Sequence, residues 1–86
     1  MAAFVAKVYV TLKPSVNDPQ GLTILGGLRS LGFASIGQVR AGKYFEVSVE
    51  APTRQDAEAT AQDICQKLLA NTVIEEYRVE LDASAT

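Results

Sequence analysis

The sequence predicts an α+β domain with elements in the order strand, helix, strand, strand, helix, strand. Three observations carry this. Residues 4–12 and 44–50 alternate apolar and polar side chains with the period of two that marks half-buried strands. Two stretches, opening at Pro19 and near Thr53, carry apolar residues at helical spacing behind a residue suited to cap a helix. Turn formers stand between these segments, at Pro14, Gly32, Gly42-Lys43 and Asn71-Thr72.

In the first strand Phe4, Ala6, Val8, Val10 and Leu12 point one way, and Val5, Lys7, Tyr9 and Thr11 the other. Pro14 ends it, having no N–H to give to a ladder. Asp18 is a good N-cap, and Pro19 suits the first helical position. Leu22, Leu25, Leu28 and Leu31, with Ile24 beside them, form the stripe of helix one. Gly26-Gly27 costs that helix about 1 kcal/mol per glycine relative to alanine, which points to another backbone approaching there. Gly32 stands where a left-handed C-terminal residue is expected.

Residues 36–41 predict a second, irregular strand. Ile36 and Val39 have opposite parity, and Gly37 between them suggests a bulge. Gly42-Lys43 would turn this strand into an antiparallel hairpin with the strand at 44–50. Thr53 caps helix two, whose apolar face is Ala57, Ala61, Ile64, Cys65 and Leu68. The helix is expected to end near Asn71. Val73, Tyr77, Val79 and Leu81 mark the last strand, and residues 83–86 a frayed tail. The resulting βαββαβ order is the ferredoxin-like one: a four-stranded antiparallel sheet with two helices on one face. One domain, residues 1–86 with an ordered core about 4–81, accounts for the chain. The uncovered sheet face would carry Tyr9, Tyr44, Ile74 and Arg78 among charges of both signs.

Composition narrows the chemistry. The chain has no histidine and a single cysteine, Cys65, so it lacks the commonest general base and any CxxC site. It has no GxxxxGK[ST] loop for a nucleotide. The net charge is −2 with scattered bases, which gives no field for nucleic acid and no basic face for a membrane. No apolar run approaches the ~20 residues that cross a bilayer, and the first residues lack a signal-peptide pattern, so a cytoplasmic location is expected. A domain this small buries roughly 60% of its unfolded surface, so association would add needed stability.

Four places are candidate sites. The open sheet face offers Tyr9 and Tyr44, residue types enriched at interfaces but also at home on a solvated face. Asp18-Pro19-Gln20-Gly21 is a helix start whose amides could also meet an anion. Arg40-Ala41-Gly42-Lys43 puts two cations near one turn. Asn71-Thr72 closes a helix and leads into Val73-Ile74-Glu75-Glu76-Tyr77-Arg78. Cys65 lies on an apolar face and reads as a small buried residue.

The three segments beginning at Asp18, Val39 and Leu68, in that order and spacing, resemble the PurS subunits of phosphoribosylformylglycinamidine synthase. The resemblance runs from about Val5 to about Leu81. Gly26-Gly27 departs from the family pattern. The resemblance implies an adaptor without catalytic residues. It implies PurL-type synthetase and PurQ-type glutaminase partners and self-association as a dimer or higher. It also implies that ATP, Mg and glutamine are handled by the partner subunits, with no cofactor held by this chain. The positions it carries over as interface are Asp18, Pro19, Gln20, Gly21, Arg40, Gly42, Lys43, Asn71, Thr72, Val73, Ile74, Glu75, Tyr77 and Arg78. The dimer is expected through the open sheet face and a strand edge. Two other readings of such a domain are a small-molecule-binding regulatory module and an acylphosphatase-like enzyme. The latter needs an arginine in its first loop, where this chain has Lys13-Pro14-Ser15-Val16.

Overall fold

The structure, a computed structural model, describes residues 2–83. β1 (Ala2–Leu12) leads to α1 (Pro19–Ser30), β2 (Gly42–Ala51), α2 (Arg54–Ile64), one wide turn at Cys65–Leu69, and β3 (Glu75–Ala83). The sheet has three strands in the order β2-β1-β3, both pairs antiparallel. In register, Val8 faces Phe45 on one side and Val79 on the other. The alternation in β1 therefore sets the faces of its neighbours, because directly paired residues share a side.

The expected four-stranded sheet is corrected to three strands, and no hairpin turns at Gly42-Lys43. The groups of residues 40 and 41 go elsewhere. The Ala41 N–H donates to the Asp18 carboxylate at 2.7 Å, and the Arg40 guanidinium is drawn onto the loop after β1. With Gly37 inside it and its apolar residues out of phase, residues 36–41 have no ladder to join, and β2 begins at Gly42. β3 likewise starts at Glu75, so Val73 and Ile74 belong to the turn before it. Ala83 is in β3; the rest of the expected tail lies outside the described residues.

The core lies between the sheet and α2. Phe4, Ala6, Val49, Ala51 and Leu81 meet Ala57 and Ala61, and Val8 and Val10 meet Cys65 and Ala70. Alanines on α2 let the helix sit close to the strands. Arg54 at its start donates to the Leu81 carbonyl. The expected helix face fails at one position: Leu68 is 83% exposed. The Ala70 N–H bonds the Cys65 carbonyl, five residues back, at 2.9 Å. This wider turn rotates Leu68 outward and brings Leu69 and Ala70 onto the sheet.

The second correction concerns α1. Its caps are as the sequence predicts: Asp18 accepts from the Gly21 N–H, Pro19 opens the helix, and Gly32 follows it at φ 97°. Yet α2, not α1, covers the sheet. Leu22 and Leu31 of the expected stripe stand exposed, and the buried residue of α1 is Gly21. The radius of gyration is 16.6 Å, against about 12 Å for a compact chain of this length.

Candidate functional site

Three segments far apart in sequence meet at the Leu12 end of the sheet. The first is the loop from β1 to α1. Asp18, 4% exposed, accepts from the Gly21 N–H at 3.0 Å and the Ala41 N–H at 2.7 Å. These two bonds, first that from Gly21 and then that from Ala41, hold its carboxyl below the usual carboxylate range, with Arg40 adding a smaller pull. Gly21 has to be glycine, because a Cβ there would collide with the Val39 carbonyl oxygen and stand 2.8 Å from the Asp18 carboxylate.

The second segment is residues 40–43. Arg40 Nη2 donates to the carbonyls of Leu12, Lys13 and Val16 at 3.4, 3.1 and 3.2 Å. Nη2 thereby ties the loop together, while the side chain itself stays exposed. Gly42 lies against β1, where a Cβ would stand 2.6 Å from the Val10 carbonyl oxygen. Lys43 points out of the strand end, its side chain 61% exposed, 3.5 Å from Glu75.

The third segment is residues 71–75. The Asn71 carbonyl accepts from the N–H groups of Ile74 and Glu75 at 3.0 and 2.7 Å. Its side-chain oxygen accepts from the Val73 N–H at 3.2 Å. Glu75 returns a carboxylate oxygen to the Asn71 N–H at 2.7 Å. Its other oxygen pairs with Lys43, so Glu75 ties β2 to the turn. The Lys13 N–H donates to the Ile74 carbonyl at 2.9 Å, joining this segment to the end of β1. A cleft of about 230 Å³ opens among Leu12, Asp18, Gln20, Lys43 and Glu75. Pro19, Gln20, Thr72 and Val73 of these segments are exposed, and of the four Gln20 lines the cleft.

The remaining candidate residues lie elsewhere. Tyr9, Tyr44 and Arg78 share the outer sheet face. The two rings are 5.1 Å apart at 45°, and the Arg78 guanidinium sits 4.3 Å over Tyr9. Charges there pair among themselves: Lys7 with Asp82 at 2.8 Å and Arg78 with Glu80 at 2.6 Å. Tyr44 donates to Glu46 at 2.7 Å, and that bond pushes its hydroxyl up to about 12. Tyr77 points to the opposite, α2 side, where its hydroxyl accepts from Gln66 at 3.2 Å. Burial pushes the Cys65 thiol up, away from a reactive thiolate. Among the described residues no group of His, Cys, Asp or Glu could hold a metal ion, and no helix is long and apolar enough to cross a membrane. Sequence reasoning missed the exposed apolar surface of α1. The signal was present: across residues 19–39 Arg29 is the one charged side chain.

Residues 5–83 match the PurS family, described as phosphoribosylformylglycinamidine (FGAM) synthase. The chain belongs to this family. It is 48% identical over 77 residues to the phosphoribosylformylglycinamidine synthase subunit PurS of Synechocystis sp., covering 90% of this chain and 77% of that one. The solved Bacillus subtilis PurS structure is 44% identical with a TM-score of 0.82, covering 92% of this chain and 98% of that one. A chain in the structure of PurLQS from Thermotoga maritima is 33% identical with a TM-score of 0.88, covering 94% and 99%. The segments at 18–21, 40–43 and 71–75 fall inside the matched range.

Proposed function

We propose that this PurS-family chain is a non-catalytic adaptor of a glutamine- and ATP-dependent phosphoribosylformylglycinamidine synthase in purine biosynthesis. It would bridge a PurQ-type glutaminase and a PurL-type synthetase. The likeness to a chain of the Thermotoga maritima PurLQS structure supports those partners. The observation that carries the reading is the corner where residues 18–21, 40–43 and 71–75 converge. Its framework is held by the Asp18 and Glu75 carboxylates on backbone N–H groups, while Gln20 and Lys43 line the cleft exposed and Thr72 and Val73 of the third segment are exposed too. That is a rigid presentation of a few side chains, which suits docking. Within the cleft Asp18 is matched by two N–H groups and Glu75 is paired with the exposed Lys43.

The mechanism is one of positioning. The glutaminase releases ammonia from glutamine, and the synthetase uses ATP to activate the substrate amide for attack by it. Ammonia must pass between the sites before it is protonated or lost, so the two sites must be held together. This chain would hold them in the cytoplasm, as a self-associated dimer or higher oligomer, with ATP, Mg and glutamine bound by its partners.

The test is reconstitution with synthetase and glutaminase subunits. Glutamine-dependent amidine formation should require this chain, while the rate with high free ammonia should not. Lys43→Ala and Asn71→Ala should lower the first rate and spare the second. Equal glutamine-dependent rates with and without the chain would overturn the adaptor reading.

A further inference from the structure

The cleft at the Leu12 end of the sheet holds charges of both signs beside an apolar surface. Val10 and Leu12 supply the apolar part, Gln20 stands on the α1 side, and Lys43 and Glu75 meet from the starts of β2 and β3. The two charged groups are built differently. Glu75 is held in place: its side chain is 11% exposed, and one carboxylate oxygen accepts from the Asn71 N–H at 2.7 Å. Lys43 is not. Its ammonium stands 3.5 Å from the other oxygen, beyond the ~2.7–2.9 Å of a charge-assisted hydrogen bond. The pair thus consists of a fixed acceptor and a cation on a flexible stem, neither fully satisfied by the other. Asp18, the third charge of the lining, already has its two oxygens on the N–H groups of Gly21 and Ala41.

We propose that this cleft binds a small zwitterion of the α-amino acid class. Its ammonium would donate to the second oxygen of Glu75, its carboxylate would accept from Lys43, and its side chain would lie on Val10 and Leu12. Charge selects this ligand. A lone anion drawn to Lys43 meets the carboxylates of Glu75 and Asp18, and a lone cation drawn to Glu75 meets the ammonium of Lys43. A molecule with both charges on one carbon gives each group its opposite, and replaces one 3.5 Å pair by two hydrogen-bonded ones. Lys43 is free to swing onto it, because its side chain is 61% exposed. Size selects it too. At about 230 Å³ the cleft falls below the roughly 300–1,000 Å³ of pockets for drug-sized ligands. The exposed Gln20 amide offers a donor and an acceptor to a polar group on the ligand's side chain. Because the cleft is open to water, the expected Kd is on the order of 1 mM.

The inference does not depend on the adaptor reading, and its test needs only the purified full chain. L-alanine, L-leucine and L-glutamine are each titrated to about 10 mM while amide signals are followed by heteronuclear NMR. With at least one of them the signals of Gln20, Lys43 and Glu75 should shift and saturate. The same amino acid with its amine acetylated, or with its carboxyl esterified, keeps one charge only and should bind at least about tenfold more weakly. Lys43→Gln should weaken binding by a similar factor. So should Glu75→Gln, which keeps an oxygen for the Asn71 N–H. No saturable shift with any of the three amino acids overturns the inference. Equal binding of an acetylated or esterified form also overturns it, because the cleft is then a site for a single charge. Binding unchanged in both variants does the same. Where a variant fails to fold, the comparison of the amino acid with its two capped forms on the wild-type chain decides.

Discussion

Replacing Gly42 by alanine tests the tightest joint of the corner. Gly42 pairs with Thr11 at the end of the β1–β2 ladder. The new Cβ would stand 2.6 Å from the Val10 carbonyl oxygen and 2.9 Å from Thr11 Cγ2. Carbon atoms pack comfortably only near about 3.5–4.0 Å. Val10 is fully buried in the central strand, so its carbonyl cannot withdraw without moving the core. The start of β2 has to move instead. Overpacking of this kind costs about 1–3 kcal/mol. The smaller entropy of the unfolded chain returns about 0.4–1 kcal/mol. A net loss of about 1–2 kcal/mol lowers the Tm of a domain this size by roughly 5–15 °C. Circular dichroism during heating measures it, and the urea midpoint should fall with an unchanged m-value. The shift also carries Lys43 away from Glu75, so glutamine-dependent activity should fall with stability. A Tm equal to or above that of the wild type refutes the reasoning, because it means the joint has room for a methyl group.

Leu68→Ala should change stability by less than about 0.5 kcal/mol in urea unfolding, as expected of an exposed position. An uninterrupted helix would have made it a core residue worth about 2–5 kcal/mol. Asp18 has a lowered pKa in the folded chain, so its stabilising effect is present above the unfolded value near 3.8 and is lost as pH falls through the folded one. Asp18→Asn should therefore destabilise the chain at pH 7, and the difference from wild type should shrink below about pH 4 as the wild-type carboxyl protonates. Cys65, fully buried with a raised pKa, should react with a disulfide reagent at least about tenfold more slowly in the folded chain than in denaturant.

The parts of the fold legible in the sequence are those set by local chemistry. The alternation of β1 predicts which side of every strand is buried, because Phe4, Ala6, Val8 and Val10 are its inward residues. The caps at Asp18 and Thr53 and the left-handed Gly32 follow from short-range hydrogen bonding and sterics. Illegible were the features decided by competition between distant groups. Residues 36–41 contain a strand-like pattern, but Asp18 takes the Ala41 N–H and three carbonyls take Arg40. The wide turn at Cys65 is invisible to a 3.6-residue period, since one extra residue per turn shifts Leu68 out of phase without changing composition. Apolar periodicity in α1 correctly predicts a helix, but says nothing about whether its cover comes from the same chain.

The same geometry divides the family-like positions into two kinds. Asp18, Gly21, Arg40, Gly42, Asn71 and Glu75 spend their distinguishing groups inside the chain, on N–H groups, carbonyls or close backbone contact. Their chemistry is explained by building the corner, with no partner invoked. Gln20, Thr72 and Val73 meet no such demand and lie exposed, and Lys43, its own side chain 61% exposed, is held by a single 3.5 Å ion pair to the largely covered Glu75. A cation so exposed can also reach an anion in an assembly. The two sets should therefore separate experimentally: substitutions in the first lower stability and assembly together, and substitutions in the second lower assembly at constant stability.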